Sequence, residues 1–221
     1  MTILEMLPLL MSGLGTTVLI VVIALPLAIL VGFLAGIARY SGNRLVKITA
    51  VVYIEFFRGT SVLIQLYWIY FVLPFLGLSL SAFNAGVLAI SLNIGAYIAE
   101  VVRGALLAVP QGQHDAAIAL NFTRWQRMRH VLLPQAVVNM LPALGNLSIE
   151  LLKATSLVSL ITVADLTYRA KGLADLTLQV GSIFGCVLLI YFVLAQVLAW
   201  VVRRLEVRLG RGLKRGGLAD G

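Results

Sequence analysis

The fold is decided by an uninterrupted apolar run at residues 16–38, which reads TTVLIVVIALPLAILVGFLAGIA and contains no charged residue. A helix of this length can cross the roughly 30 Å hydrocarbon core of a bilayer. Glu5 precedes the run and no basic residue does, and the run is too long for the apolar core of a secretory signal. The stretch therefore predicts a transmembrane helix.

The composition of the whole chain points the same way. Of its 221 residues, 61% are hydrophobic and only 12% are charged, about half the charged fraction of an ordinary soluble domain. A soluble globular protein and a disordered chain are both excluded. We expect a single all-α integral membrane domain over residues 1–221, with five spans at about 16–38, 58–77, 82–108, 131–156 and 180–202.

The second apolar stretch, about 46–77, is longer than one span and is interrupted between Glu55 and Thr60. We interpret its first part as a cytoplasm-side segment that leads into a single crossing. Small residues four apart occur at Gly32/Gly36 and at Gly181/Gly185, a spacing that lets helices approach closely. The sequence leaves open whether each pair packs within the chain or against another subunit.

Basic residues are distributed very unequally over the two sides of this topology, although the net charge is +8 overall. The segment between the fourth and fifth spans holds only Arg169 and Lys171, balanced by Asp165 and Asp175. Because cytoplasmic loops collect Lys and Arg, the N-terminus is expected outside and the basic tail 203–221 inside. Thirteen of the 17 basic residues fall in the predicted cytoplasmic segments: Arg39, Arg44, Lys47, Arg103, Arg124, Arg127, Arg129, Arg203, Arg204, Arg208, Arg211, Lys214 and Arg215.

The loop at 109–134 has the local signals of two short helices. Residues 113–120 are rich in alanine, and Asp115 is expected near the positive end of that helix. Asn121 fits a left-handed turn at its end. Thr123 and Gln126 have the spacing of a capping box, which would start a second helix.

The second short helix of this loop should carry an apolar stripe, because Phe122, Trp125 and Met128 recur every three residues. Arg124 and Arg127 occupy a neighbouring face, and Pro134 suits the first turn of the next span. Two interpretations stay open on these residues alone. The loop docks into a groove of a partner, or it lies on lipid headgroups with its arginines on phosphates.

The same loop resembles the EAA loop of permease subunits of binding-protein-dependent ABC importers. That pattern is Glu-Ala-Ala, three residues, Gly, nine residues, Ile-x-Leu-Pro, and this chain has Asp115-Ala116-Ala117, Asn121 and Val131-Leu132-Leu133-Pro134 at the same spacing. Asp, Asn and Val replace Glu, Gly and Ile. The resemblance implies that this loop couples the chain to an ATPase through Gly112, Asp115, Ala116, Ala117, Asn121, Arg124, Trp125, Leu133 and Pro134.

The resemblance extends over roughly residues 13–202. Within the family, the chain resembles the polar amino-acid branch, of the histidine and glutamine type. The stretches 13–17, 39–43, 53–60, 96–103 and 152–157 carry it, and within the branch the chain most resembles ectoine/hydroxyectoine permeases. This implies a multi-pass protein of a bacterial inner membrane with the ABC importer permease fold. It also implies an ATPase subunit that binds ATP and Mg²⁺, a second permease subunit, homologous or identical, and an extracytoplasmic substrate-binding protein.

Three acid–base pairs at i, i+3 spacing occur in or near the spans: Glu55/Arg58, Glu100/Arg103 and Glu150/Lys153. Each can meet on one helical face and lower the cost of charge near hydrocarbon, or one can open to hold a zwitterion. Our candidate for the substrate pathway is Glu150/Lys153 beside Thr155 and Ser156, followed by Glu55/Arg58; we expect Glu100/Arg103 to brace the third span.

Motifs of catalysis are absent from the sequence. It contains no GxxxxGK[ST], HExxH or GxSxG motif, its one cysteine is Cys186, and its two histidines stand alone. We expect no catalytic site, no metal and no cofactor in this chain, and no nucleic-acid partner. The alternatives to an importer subunit are a self-contained secondary transporter or channel, disfavoured by the lack of an inverted repeat, and a membrane scaffold.

Overall fold

The computed structural model describes residues 3–40 and 42–214, with side chains described from residue 8 to 208. Within these residues all regular structure is helical. The part of the basic tail beyond Lys214 lies outside the described residues. In chain order, the helices are α1 (Ile3–Tyr40), α2 (Arg44–Gly59), α3 (Val62–Tyr67), α4 (Ala82–Leu107), α5 (Gln111–Ala119), α6 (Arg124–Arg127), α7 (Leu133–Ala154), α8 (Leu166–Thr177) and α9 (Val180–Lys214).

Four helices are long and apolar enough to cross a membrane: Pro8–Tyr40, Ala82–Leu107, Arg124–Ile161 and Val180–Arg208. The third of these joins α6 and α7 through a π turn, Met128–Leu132, and ends in a 3₁₀ turn, Thr155–Ile161. A fifth crossing results if Arg44–Gly59 and Val62–Leu76, bent by 104°, form one broken span. The helical stretch that begins at Arg124 therefore starts well before the residue 131 at which we expected the fourth span.

The elbow between α2 and α3 is built by two buried amides. Gln65 Nε2 donates to the Phe57 carbonyl at 2.9 Å and to the Thr60 carbonyl and hydroxyl at 3.2 and 2.7 Å. Asn93 of α4 donates to the same Phe57 carbonyl at 2.9 Å and to Gln65 Oε1 at 3.1 Å. Carbonyls left free at a helix end are costly when buried, so these amides make the break stable. The expected continuous span at 58–77 is thus a helix end, a turn and a short helical stretch from Val62 to Leu76.

A π turn precedes a proline at two places in the spans. The Leu73 N–H donates to the Trp68 carbonyl just before Pro74, and the Leu133 N–H donates to the Met128 carbonyl just before Pro134. Proline lacks an N–H, and its ring collides with the carbonyl four residues earlier, so a wider turn accommodates it. Pro134 lies in the first turn of α7, as expected, but the π turn joins α7 to α6, so the helical stretch continues back to Arg124.

The centre of the fold is α4, because 72% of its apolar window is buried, against 6% for α9. A Cβ on Gly32 would lie 2.6 Å from Ile98, and one on Gly36 would lie 2.7 Å from the Ala99 carbonyl. This first glycine pair therefore packs α1 directly on α4. Nothing lies within 4 Å of the corresponding positions on Gly181 and Gly185, so the second pair faces away from the chain.

Candidate functional site at the loop 109–134

The first turn of the loop is fixed by backbone hydrogen bonds at the end of α5. The Asn121 N–H donates to the Ile118 carbonyl at 2.9 Å, and the Phe122 N–H donates to the Ala117 carbonyl at 3.0 Å. These two bonds form a Schellman motif, with Asn121 in the left-handed conformation at φ 55°. The left-handed turn expected at Asn121 is confirmed, and the short asparagine side chain tolerates it better than a branched one.

The second turn restarts the helix through a complete capping box. The Gln126 N–H donates to the Thr123 hydroxyl at 3.3 Å, and the Thr123 N–H donates to Gln126 Oε1 at 2.9 Å. The capping box predicted from the spacing is therefore present. Because both turns use local hydrogen bonds, the loop holds a fixed shape without help from a partner.

The helix α5 presents one face outward and buries the other. Ala117 is only 2% exposed and anchors the helix to the rest of the chain, whereas Gly112, Asp115 and Ala116 are exposed. The burial of Ala117 is within this chain, so of the two alanines Ala116 is the one whose side chain is on the surface. Asp115 lies in the second turn of α5, not at its positive end, and accepts a 3.3 Å hydrogen bond from Gln111 Nε2.

The expected apolar stripe is only partly on the surface. Phe122 and Met128 are half-buried, with the Phe122 ring 6.4 Å from that of His130, while Trp125 is 66% exposed. Leu133 and Pro134 are also half-buried. Trp125 is thus the side chain of the stripe that projects for contact, and the other residues support it.

The end of α1 lies close to this loop. A cavity of about 580 Å³ separates them and is lined by Tyr40, Asn43, His114, Arg124 and Trp125, among others. A Cβ on Gly42 would lie 3.1 Å from Arg124 Nη1. The exposed Arg124 guanidinium therefore lies against the turn between α1 and α2. A movement of the loop would consequently displace the end of α1.

Of the three expected acid–base pairs, only Glu100/Arg103 forms, with Arg103 Nη2 2.9 Å from Glu100 Oε2. Glu55 pairs instead with Arg39 of α1 at 3.2 Å. The Arg58 guanidinium carbon lies 5.4 Å from the centre of the Tyr97 ring, a cation–π geometry. The expected Glu55/Arg58 pairing was wrong because the tertiary partners Arg39 and Tyr97 replace the local one.

Glu150 and Lys153 are both exposed in this chain and form no ion pair within the described residues. Thr155 is buried and its hydroxyl donates to the Leu152 carbonyl at 2.7 Å, so it is not available to a substrate. Ser156 is half-buried and donates to the Lys153 carbonyl at 2.8 Å. The structure therefore places an acid and a base that do not contact each other, together with one half-buried serine, on the exposed side of the fourth span.

Sequence reasoning missed two polar features. Arg39 reaches Glu100 of α4 as well as Glu55 of α2, so one guanidinium links three helices. Asp165 is fully buried with its Oδ2 unpartnered, near Tyr191 and Thr167, whose hydroxyls are 3.3 Å apart. Both features join residues that are far apart in the sequence, so helical spacing does not predict them. The one available signal in the sequence was the presence of isolated acidic residues among apolar ones.

Comparisons with known proteins agree with this architecture. A family model described as "Binding-protein-dependent transport system inner membrane component" matches residues 28–211. The chain is 48% identical over 185 residues to the probable amino-acid ABC transporter permease protein y4tF of Sinorhizobium fredii, covering 81% of this chain and 78% of that protein. It is 40% identical over 204 residues to the glutamine transport system permease protein GlnP of Escherichia coli K12, covering 91% and 93%.

Solved structures give the same result. The crystal structure of an amino acid ABC transporter with histidines superposes with a TM-score of 0.86 at 37% identity, covering 94% of this chain and 100% of that one. The MetNI methionine ABC transporter in an inward-facing conformation superposes with a TM-score of 0.80 at 21% identity, covering 95% and 99%, which shows a shared fold. The all-α permease fold expected from the resemblance is confirmed, and this multi-helix chain belongs to the family of binding-protein-dependent transport system inner membrane components, as a permease of the amino-acid ABC transporter type.

Proposed function

We propose that this chain is the membrane half of an ATP-driven importer that carries a small polar zwitterion, by preference a polar amino acid, into the cytoplasm. The observation that carries the proposal is the loop 109–134, whose two turns are closed by their own hydrogen bonds while Asp115, Ala116 and Trp125 stay exposed. A preformed exposed helix is suited to dock into a groove of a partner subunit.

The partner of this loop is an ATPase subunit that binds ATP and Mg²⁺, because the chain has no phosphate-binding motif of its own. A second permease subunit and an extracytoplasmic binding protein complete the complex. The basic ends of the spans favour a cytoplasmic loop and C-terminus and an outside N-terminus, because cytoplasmic loops collect Lys and Arg.

The substrate class is proposed from the fourth span and from the relatives. Glu150 and Lys153 lie three residues apart, exposed and unpaired with each other, so one can meet a cationic group and the other a carboxylate. The two relatives are described as amino-acid and glutamine permeases. The resemblance to ectoine/hydroxyectoine permeases stays a prediction, and ectoine is therefore included in the assay.

The test is reconstitution of the chain with its ATPase and binding protein in vesicles. We expect ATP hydrolysis to rise when the binding protein is loaded with its amino acid, and labelled substrate to accumulate only with ATP. Glutamine, histidine and ectoine are compared. Transport without ATP or without the ATPase subunit would instead establish a secondary transporter or channel.

The pathway itself is tested by Glu150→Gln and Lys153→Met. Since neither residue forms an ion pair with any other described residue, both variants should assemble and keep basal ATP hydrolysis. Uptake should fall at least about tenfold, the equivalent of one charged hydrogen bond. Arg169→Met, on α8, serves as a charge-loss control. Normal uptake by both pathway variants would remove this site.

A further inference from the structure

A cavity with three cationic residues among its six lining residues lies where α1, α2 and α4 meet. Its volume is about 330 Å³, and its lining consists of Arg39, Tyr40, Lys47, Val51, Arg103 and Leu107. Three of these side chains carry positive charge and none carries negative charge. Tyr40 also lines the cavity beside the loop 109–134, so the two cavities lie at the same end of the helices.

The two arginines of this cavity are held in place with donors to spare. Glu100 accepts from Arg39 through Oε1 and from Arg103 through Oε2. Arg39 contacts its two acids through Nη1 only, and Arg103 uses Nε and Nη2. Because a guanidinium has five N–H donors, each arginine keeps N–H groups that meet no acceptor among the described residues. Lys47 is exposed and forms no ion pair there either.

The start of α2 adds to the positive potential. Its first turn contains Arg44 and Lys47 and no acidic residue, although the N-terminal end of a helix already carries a partial positive charge. Cations at that end repel one another and the helix dipole. An anion bound beside this turn would stabilise the arrangement.

The neighbouring surface is apolar. The helix α2 exposes Leu45, Ile48, Val52 and Phe56 at spacings of three, four and four residues, which places them on one stripe. A helix with such a stripe and a basic start lies in the interface of a bilayer with its apolar side among acyl chains. A ligand at this place therefore meets cations on one side and hydrocarbon on the other.

We propose that this cavity binds the phosphate of an anionic phospholipid of the cytoplasmic leaflet, with the acyl chains running along the exposed stripe of α2. The choice of leaflet rests on the proposed function, which puts the loop 109–134 in the cytoplasm. The lipid would bridge Arg39 of α1, Lys47 of α2 and Arg103 of α4, so it would fix the elbow helix against the two spans.

The experiment titrates the purified full chain, alone and with its ATPase, with phosphatidylglycerol or phosphatidylcholine and counts bound lipid by native mass spectrometry. Phosphatidylglycerol should bind preferentially. Lys47→Ala should weaken its binding about tenfold, the loss of one charge-assisted hydrogen bond to the phosphate, whereas Lys47→Arg should keep the binding. Arg44→Ala is the matched control, since Arg44 starts the same turn but does not line the cavity.

Three outcomes would overturn the proposal. Equal losses in Lys47→Ala and Arg44→Ala would show diffuse attraction without a site. Equal binding of the two lipids would exclude recognition of an anion. Full competition by millimolar inorganic phosphate would make a free anion the ligand. Failure of the ATPase to associate, with lipid selectivity intact on the chain alone, would overturn the proposed function and not the lipid site.

Discussion

At the scale of single residues, Asp165 has the most unusual environment. Its Oδ1 accepts from the Tyr168 N–H at 2.8 Å and caps α8, whereas its Oδ2 is buried without a partner. Burial raises the pKa of this carboxyl above its ordinary value, although the Tyr168 N–H bond and the nearby Thr167 and Tyr191 hydroxyls oppose the rise. The folded chain therefore binds this proton more tightly than the unfolded chain does.

A prediction follows for Asp165→Asn. With a raised pKa, the stabilising contribution of the protonated carboxyl is complete below the unfolded value and is lost as the pH rises through the folded value. Asparagine stays neutral and keeps the capping oxygen, so the Tm should rise at about pH 8 and the difference should fade towards about pH 4. Asp165→Ala loses the cap and should cost about 1 kcal/mol. A lower Tm for Asp165→Asn at high pH would mean that the charged form is required.

Asn121 gives a second prediction at this scale. Its φ of 55° suits glycine and strains a β-branched residue. Asn121→Val should cost about 1–3 kcal/mol in the turn and abolish co-purification of the ATPase, while Asn121→Gly should retain it. Equal association of both variants would show that the turn does not control docking.

At the scale of elements, the two alanines of α5 separate docking from folding. Ala116 is exposed and Ala117 is 2% exposed. Ala116→Trp should leave the thermal stability of the chain unchanged but block ATPase association, because overpacking a fitted contact costs about 1–3 kcal/mol. Ala117→Trp should also lower the thermal stability of the chain, in addition to blocking ATPase association, because Ala117 is buried. If Ala116→Trp still associates normally, the loop lies on lipid headgroups instead of in a groove.

The helices and turns also show which structural features could be predicted from the sequence and which could not. The left-handed turn at Asn121 and the capping box at Thr123 were predictable because their hydrogen bonds join residues three to five apart along the chain. The elbow after α2 was not, since it depends on Asn93 of a different helix. The partner of Glu55 was missed for the same reason: Arg39 is 16 residues away and the helical spacing favours Arg58.

At the scale of the whole molecule, the two glycine pairs should behave differently. A Cβ on Gly32 meets Ile98 at 2.6 Å, whereas one on Gly185 meets nothing within 4 Å. Gly32→Ala should therefore destabilise the chain by about 1–3 kcal/mol through overpacking, and Gly185→Ala should leave the isolated chain unaffected. The thermal stability of both variants in detergent, measured by fluorescence-detection size-exclusion chromatography, checks the two expectations. Equal effects of the two substitutions would contradict the packing described for α1 on α4.

The continuity of the stretch from Arg124 to Ile161 has a mechanical consequence. It is a continuous helical stretch of 38 residues that includes the π turn Met128–Leu132 and the final 3₁₀ turn, and it is about 57 Å long at about 1.5 Å per residue. Its start is joined to α5 through the capping box and the Schellman turn. Glu150 lies about 39 Å along this stretch, so a tilt of about 5° at its start would displace Glu150 by about 3 Å. A push on α5 would thus be carried along this stretch to the end of the span that holds Glu150, without a chain of rearranging side chains between the two ends.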